Sequence, residues 1–173
     1  LQMLTQEDYV TAKPHAGFFV TRVTLKELQD LLELRKILEI ASIERAAVRI
    51  SDHALDQLIQ VHSTDKDAVE DSYTTNIIEN RRFHTGIARA SGNQELAELL
   101  GQVLDRLARF FVFTHSGNEI RNRHIKVVEA LRTRDPETAR QVIIHEIDET
   151  REITLRHVIE EDGTAWYLGS QPE

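Results

Sequence analysis

The run Asn80-Arg81-Arg82-Phe83-His84-Thr85-Gly86-Ile87-Ala88-Arg89-Ala90-Ser91-Gly92-Asn93 holds the end of one helix, its stop and the start of another. Ile77, Ile78, Phe83, Ile87 and Ala88 fall close to the 3.6-residue period of an amphipathic helix. Gly92 supplies the left-handed residue that commonly closes a helix, and Asn93 supplies a side-chain oxygen that can cap the next. The spacing therefore predicts a helix over roughly Tyr73–Ala90. A fourth helix follows, whose apolar stripe (Leu96, Leu99, Leu100, Val103, Leu104, Leu107, Ala108, Phe111 and Val112) is the widest in the chain.

The same reading extends outward in both directions. Thr24-Leu25-Lys26-Glu27 has the form of a capping box, and Leu28, Leu31, Leu32, Leu38, Ala41 and Ile43 continue it into a first helix from Leu25 to about Ile50. Ser51 and Asp52 can cap a second helix carrying Leu55, Leu58, Ile59 and His62, with Ser63–Ser72 as a polar connection. Ser116-Gly117-Asn118 breaks the fourth helix, and a fifth covers roughly Glu119–Arg132. Asp135-Pro136, an acidic cap followed by Pro at the first helical position, opens a sixth that reaches Glu161. Ahead of the helices, Tyr9-Val10-Thr11 and Phe18-Phe19-Val20-Thr21 flank Pro14 and Gly17 and read as a hairpin. The expected fold is all-α, an antiparallel bundle of about six helices with a short N-terminal β-hairpin. It divides into residues 1–22, a bundle over 23–161 and a polar tail over 162–173, in which Trp166, Tyr167 and Leu168 are the apolar exceptions.

Composition agrees and narrows the function. A chain of 173 residues is one ordinary domain, and only 7 Gly and 3 Pro disfavour a turn-rich β-sandwich or barrel. The lack of Cys removes disulfide scaffolds, thiolate zinc sites and thiol catalysis, and fits a reducing cytoplasm. A net charge of −8 repels phosphate, so this stretch by itself is not expected to grip nucleic acid. Half of that charge lies between Arg134 and Glu161, with four Arg against eight Asp or Glu, which reads as a solvated outer face. No apolar run approaches the ~18 residues of a membrane span. The chain begins with Leu, as a piece of something longer would.

The eight His residues are the compositional excess. His84 lies seven residues after Ile77 and three before Ile87, with Asn80 one turn earlier. His124 is four after Ile120 and three, four and seven before Val127, Val128 and Leu131, and His145 is three after Val142 and eight before Ile153. All three are expected to face one core from three helices. Spacing leaves two readings open: core histidines bonded to neighbours, or a divalent metal held by three imidazoles and an oxygen of Asn80. His115 belongs to the fourth-helix stripe, His15 to the hairpin, and His53, His62 and His157 to surfaces or helix ends. There is no H-E-x-x-H, G-x-S-x-G, P-loop or G-x-G-x-x-G. The Asp148 and Glu152 pair reads as part of the acidic face, so no inward carboxylate stands ready as a general base. An enzyme is therefore not the expectation, with a metal-dependent hydrolase or lyase as the alternative.

The quoted run from Asn80 to Asn93 resembles the core motif of the FCD domain, the helical effector-binding domain of FadR-type regulators in the GntR family. Arg123-His124-Ile125-Lys126-Val127-Val128-Glu129-Ala130-Leu131, Val142-Ile143-Ile144-His145 and Leu34-Arg35-Lys36-Ile37-Leu38-Glu39 are similar to further motifs of that family, in the same order. The resemblance covers about Leu25 to His157.

It implies an effector-sensing domain of a homodimeric cytoplasmic regulator that meets operator DNA through a winged helix-turn-helix domain, of which Leu1–Arg22 would be the wing end. It implies a metal held by Asn80, His84, His124 and His145, with zinc as the default and nickel, manganese or iron as alternatives. Asn80 stands where the family more often has Asp, so the set has one less negative charge. The resemblance also assigns Arg35 to a small carboxylate effector; taken alone, Arg35 reads as a surface salt bridge with Glu39. A metal-free acyl-ligand sensor is the other reading, and the polar imidazole cluster argues against it.

Overall fold

The computed structural model describes residues 10–13, 17–20, 24–61, 73–110 and 117–161. Strands β1 (Val10–Lys13) and β2 (Gly17–Val20) pair antiparallel, with Val10 opposite Val20 and Lys13 opposite Gly17. Among the described residues six helices follow: α1 (Leu25–Arg49), α2 (Asp52–Gln60), α3 (Tyr73–Ala90), α4 (Gln94–Ala108), α5 (Gly117–Arg132) and α6 (Pro136–Glu161). Among the described residues, no helix is long and apolar enough to cross a membrane.

The caps are those the residue types call for. Thr24 accepts from the Glu27 amide at 3.0 Å, Ser51 from Ala54 at 3.1 Å, Asn93 from Leu96 at 3.3 Å and Asp135 from Thr138 at 3.0 Å. At the α3–α4 corner Gly92 has φ +81, and the Arg49 guanidinium reaches across from α1 to the Ser91 carbonyl at 2.6 Å. Arg134, with φ 58, turns the α5–α6 corner while its side chain binds Asp52 and the Ile50 carbonyl.

Two apolar clusters hold the bundle. One gathers Ile43, Ala46, Ala47 and Ile50 of α1 with Leu55 and Leu58 of α2, Phe83 and Ile87 of α3, and inward residues of α5 and α6. The other joins Leu28, Leu31, Leu32 and Leu38 of α1 to Ala88 of α3, the α4 stripe from Ala97 to Leu107, and Phe110 just beyond it. Helices α1 and α3 belong to both. Between the clusters, midway along α1, lie the buried polar side chains Arg35, Glu39 and Ser42.

Three expectations change. Helix α4 stops at Ala108: the chain tightens so that the Phe110 amide bonds the Leu107 carbonyl at 2.9 Å, while the Arg109 and Arg106 side chains turn to Glu27 on α1. Helix α5 begins at Gly117, two residues before Glu119. Helix α6 is not simply a solvated outer face. Its inward row mixes apolar and polar groups, Ala139, Ile143, Glu146, Ile147, Thr150 and Thr154, all buried. Asp148 is engaged as well, with both carboxylate oxygens bound by Lys36 of α1 at 2.7 and 2.8 Å. The expectations for Leu1–Tyr9, His15, His62–Ser72, Phe111, Val112, His115 and the tail from Asp162 fall outside the described residues.

A Cβ at Gly92 would sit in left-handed backbone and 3.1 Å from the Arg49 guanidinium. Gly92→Ala is expected to cost about 1–2 kcal/mol. The measurement is urea unfolding, with a lower midpoint and an unchanged slope.

Candidate functional site

The polar centre is assembled by four helices. Helix α1 supplies Arg35 and Glu39 at i, i+4, so their side chains stand on one face. The salt bridge expected between them forms, with Arg35 Nε 2.6 Å from Glu39 Oε1, but it lies in the interior, Arg35 being 1% exposed. The surface reading is corrected: two apolar clusters flank this turn of α1, so its polar face closes over partners from α3 and α6 instead of meeting water.

Those partners are His84 and Glu146. The His84 ring puts Nδ1 2.6 Å from Glu39 Oε2 and Nε2 3.0 Å from Arg35 Nη2. Assigning the ring proton to Nδ1 lets it donate to Glu39 and leaves the Nε2 lone pair to accept from Arg35, which satisfies every contact. Glu146 Oε2 lies 3.4 Å from the same Nη2, and its Oε1 accepts from Thr150 Oγ1 at 3.2 Å. His124 of α5 completes the group. It stacks on Phe83 at 3.8 Å between ring centroids and meets His84 edge to face at 5.0 Å. The ring nitrogens of His84 and His124 and a carboxylate oxygen of Glu146 offer three buried donors, all within 4.8 Å of one another.

Electrostatics follow from burial. Burial opposes ionisation of Glu39, yet attraction to Arg35 and the hydrogen bonds from His84 and Arg35 hold its carboxyl below the ordinary carboxylate range. Burial also works against the Arg35 charge, and Glu39 and Glu146 overcome it, raising the guanidinium above its ordinary value. Charges withdrawn from water this far persist only where such partners compensate them.

Of the sequence-predicted residues, the structure brings Arg35, His84 and His124 together. Asn80 is half-buried on α3, one turn before His84. His145 is not brought in: its side chain is 68% exposed and lies 3.5 Å from Glu149. The inward place falls to the next residue, Glu146, because Ile143 and Ile147 set the phase of α6 and a single step turns a side chain by about 100°. Sequence reasoning missed Glu146 and placed Glu39, the expected partner of Arg35, on the surface. The available signal for Glu146 was its position three after Ile143 and four before Thr150, on the stripe that runs from Ala139 to Thr154. His53 is exposed and His157 half-buried.

The depressed Glu39 carboxyl makes stability depend on pH. Its contribution is complete above the ordinary value of 4.5 and disappears as pH falls through the lower folded value. Glu39→Gln should cost about 3–5 kcal/mol at neutral pH, as loss of one partner in a buried pair does. Acid unfolding followed by circular dichroism should show a flatter decline below the ordinary value for the variant than for the wild-type chain.

A family model for the FCD domain matches residues 30–149. The HTH-type transcriptional regulator YdhC of Bacillus subtilis is 26% identical over 167 residues, spanning 93% of this chain and 74% of the relative. The same fold occurs in a solved structure named transcriptional regulator GntR from Rhodococcus sp. RHA1, with TM-score 0.73, 19% identity and coverage of 90% and 76% of the two chains. It occurs also in the metal-free FCD domain of the regulator TM0439, with TM-score 0.65, 19% identity and coverage of 80% and 99%. These relatives are regulators rather than enzymes. With the family model matching well over half of its length, the chain belongs to the FCD family and is the effector-binding domain of a transcriptional regulator.

Proposed function

We propose that this domain senses a small carboxylate at a divalent metal, with His84, His124 and Glu146 as protein ligands and Arg35 as the group that receives the carboxylate. The observation that carries the reading is the convergence of three buried donors of metal-binding type from three helices. Asn80, on the turn before His84, is a candidate fourth ligand. Two imidazoles and a carboxylate suit a first-row divalent ion; zinc remains the first choice, and an oxygen in place of a third imidazole favours manganese or iron more than a three-His set would. When bound, such an ion supplies positive charge in a water-poor site, where it attracts an anion strongly.

The side chains have defined parts in this scheme. Glu39 accepts from His84 Nδ1 and so aims Nε2 inward, the usual role of a carboxylate behind a metal-binding histidine. Thr150 steadies Glu146. Arg35 presents a planar fork suited to a carboxylate. A metal-free acyl-ligand sensor fits less well, because an alkyl chain would leave this concentration of charge without polar partners. The regulator is read as a cytoplasmic homodimer in which β1 and β2 form the wing end of a winged helix-turn-helix domain. Effector occupancy alters operator binding to the extent that the acid binds the DNA-competent and DNA-incompetent arrangements unequally.

Purified wild-type protein is expected to carry stoichiometric metal and to lose thermal stability in EDTA. A ligand free at about 100 times its dissociation constant adds about 2.7 kcal/mol, a readily visible shift. His84→Ala and Glu146→Ala should abolish the bound metal, while His145→Ala should keep it, as measured by elemental analysis of dialysed protein. No metal in the wild type, together with a melting temperature indifferent to EDTA, sinks the proposal.

A further inference from the structure

We propose that Arg35 is a resident cation at the metal position, so that guanidinium and metal compete for the same donors and Arg35 is released to receive the effector only after metal loading. This rests on the metal reading above and concerns the order of events at that site.

The argument is one of lone pairs. With Nδ1 of His84 turned to Glu39 at 2.6 Å, Nε2 is the ring nitrogen left for a ligand, and Arg35 Nη2 occupies it at 3.0 Å. An imidazole nitrogen has one lone pair and serves either a hydrogen bond or a metal, not both. The same Nη2 lies 3.4 Å from Glu146 Oε2, within a second group of the donor set. The guanidinium thus neutralises part of the site that a divalent ion would occupy, and the two positive charges repel at close range. For His84 and Glu146 to serve as ligands, Nη2 has to leave both.

Arg35 has somewhere to go without losing its anchor. Nε stays on Glu39 Oε1 at 2.6 Å, an i, i+4 contact within α1 that does not involve the metal donors. Movement of the far edge of the guanidinium about this anchor exposes N–H groups that are satisfied by His84 and Glu146 beforehand. A carboxylate effector is the natural acceptor for them. While Nη2 is held by His84 and Glu146, an acid would have to displace both before it could bind. Effector affinity is therefore coupled to metal occupancy through one side chain.

The test uses Zn²⁺ alone as the probe, with competition titration against a chromophoric chelator. Arg35→Met should bind Zn²⁺ at least about ten-fold tighter than wild type, because it removes both the hydrogen bond to Nε2 and the cationic repulsion. Arg35→Gln, which keeps a polar partner for Glu39 but carries no charge, should also exceed wild type if Arg35→Met folds poorly. In wild-type protein, the guanidinium protons of Arg35 followed by NMR should exchange slowly without metal and faster once Zn²⁺ is added. Wild type that binds Zn²⁺ while neither variant binds it tighter, or Arg35 protons unmoved by Zn²⁺, overturns the competition. Wild type that binds no Zn²⁺ overturns the underlying metal reading instead.

Discussion

A guanidinium cannot be taken out of water without anionic and hydrogen-bonding partners, and in this domain that single requirement organises the centre of the bundle. Arg35 finds Glu39 on its own helix, His84 on α3 and Glu146 on α6. Each contact is directional, with narrow tolerance in distance and angle. The two apolar clusters on either side are not; packing of Leu and Ile side chains favours burial without dictating one axial register. The polar contacts therefore fix how α1, α3 and α6 stand against each other, and the clusters supply the bulk of the stabilisation around them.

Much of this was legible along the chain. Capping residues and apolar period located all six helices, because Thr24, Ser51, Asn93 and Asp135 act on amides two or three residues away. The stop at Gly92 is likewise local, a matter of one residue's backbone freedom. The inward placement of His84 and His124 followed from apolar neighbours on both sides. Where neighbours were ambiguous, the reading slipped. Val142-Ile143-Ile144 offers three candidate phases in a row, and choosing Val142 turned His145 inward where Ile143 turns Glu146.

The remaining misses share a different cause. That Arg35 and Glu39 pair at i, i+4 is visible in sequence; that they do so in the interior depends on Glu146, 111 residues from Arg35 in the chain. A buried charge is a property of a set assembled by tertiary structure, and no single member of the set announces it. Glu146 lay in an acidic stretch whose average behaviour is solvation, and composition describes averages. The early end of α4 is similar: its apolar stripe continues in sequence to Val112, but Arg106 and Arg109 are drawn to Glu27 on α1.

Helix α1 is a single unbroken element of 25 residues, about 37 Å long at ~1.5 Å per residue. Arg35 and Glu39 sit near its middle, Thr24 at one end and Ile50, whose carbonyl is gripped by Arg134, at the other. A helix resists compression along its axis far more than the packing around it resists sliding. The guanidinium thus sits near the middle of one stiff rod whose two ends stand at the entry to the bundle and at the α5–α6 corner, places too far apart to meet through side-chain contact.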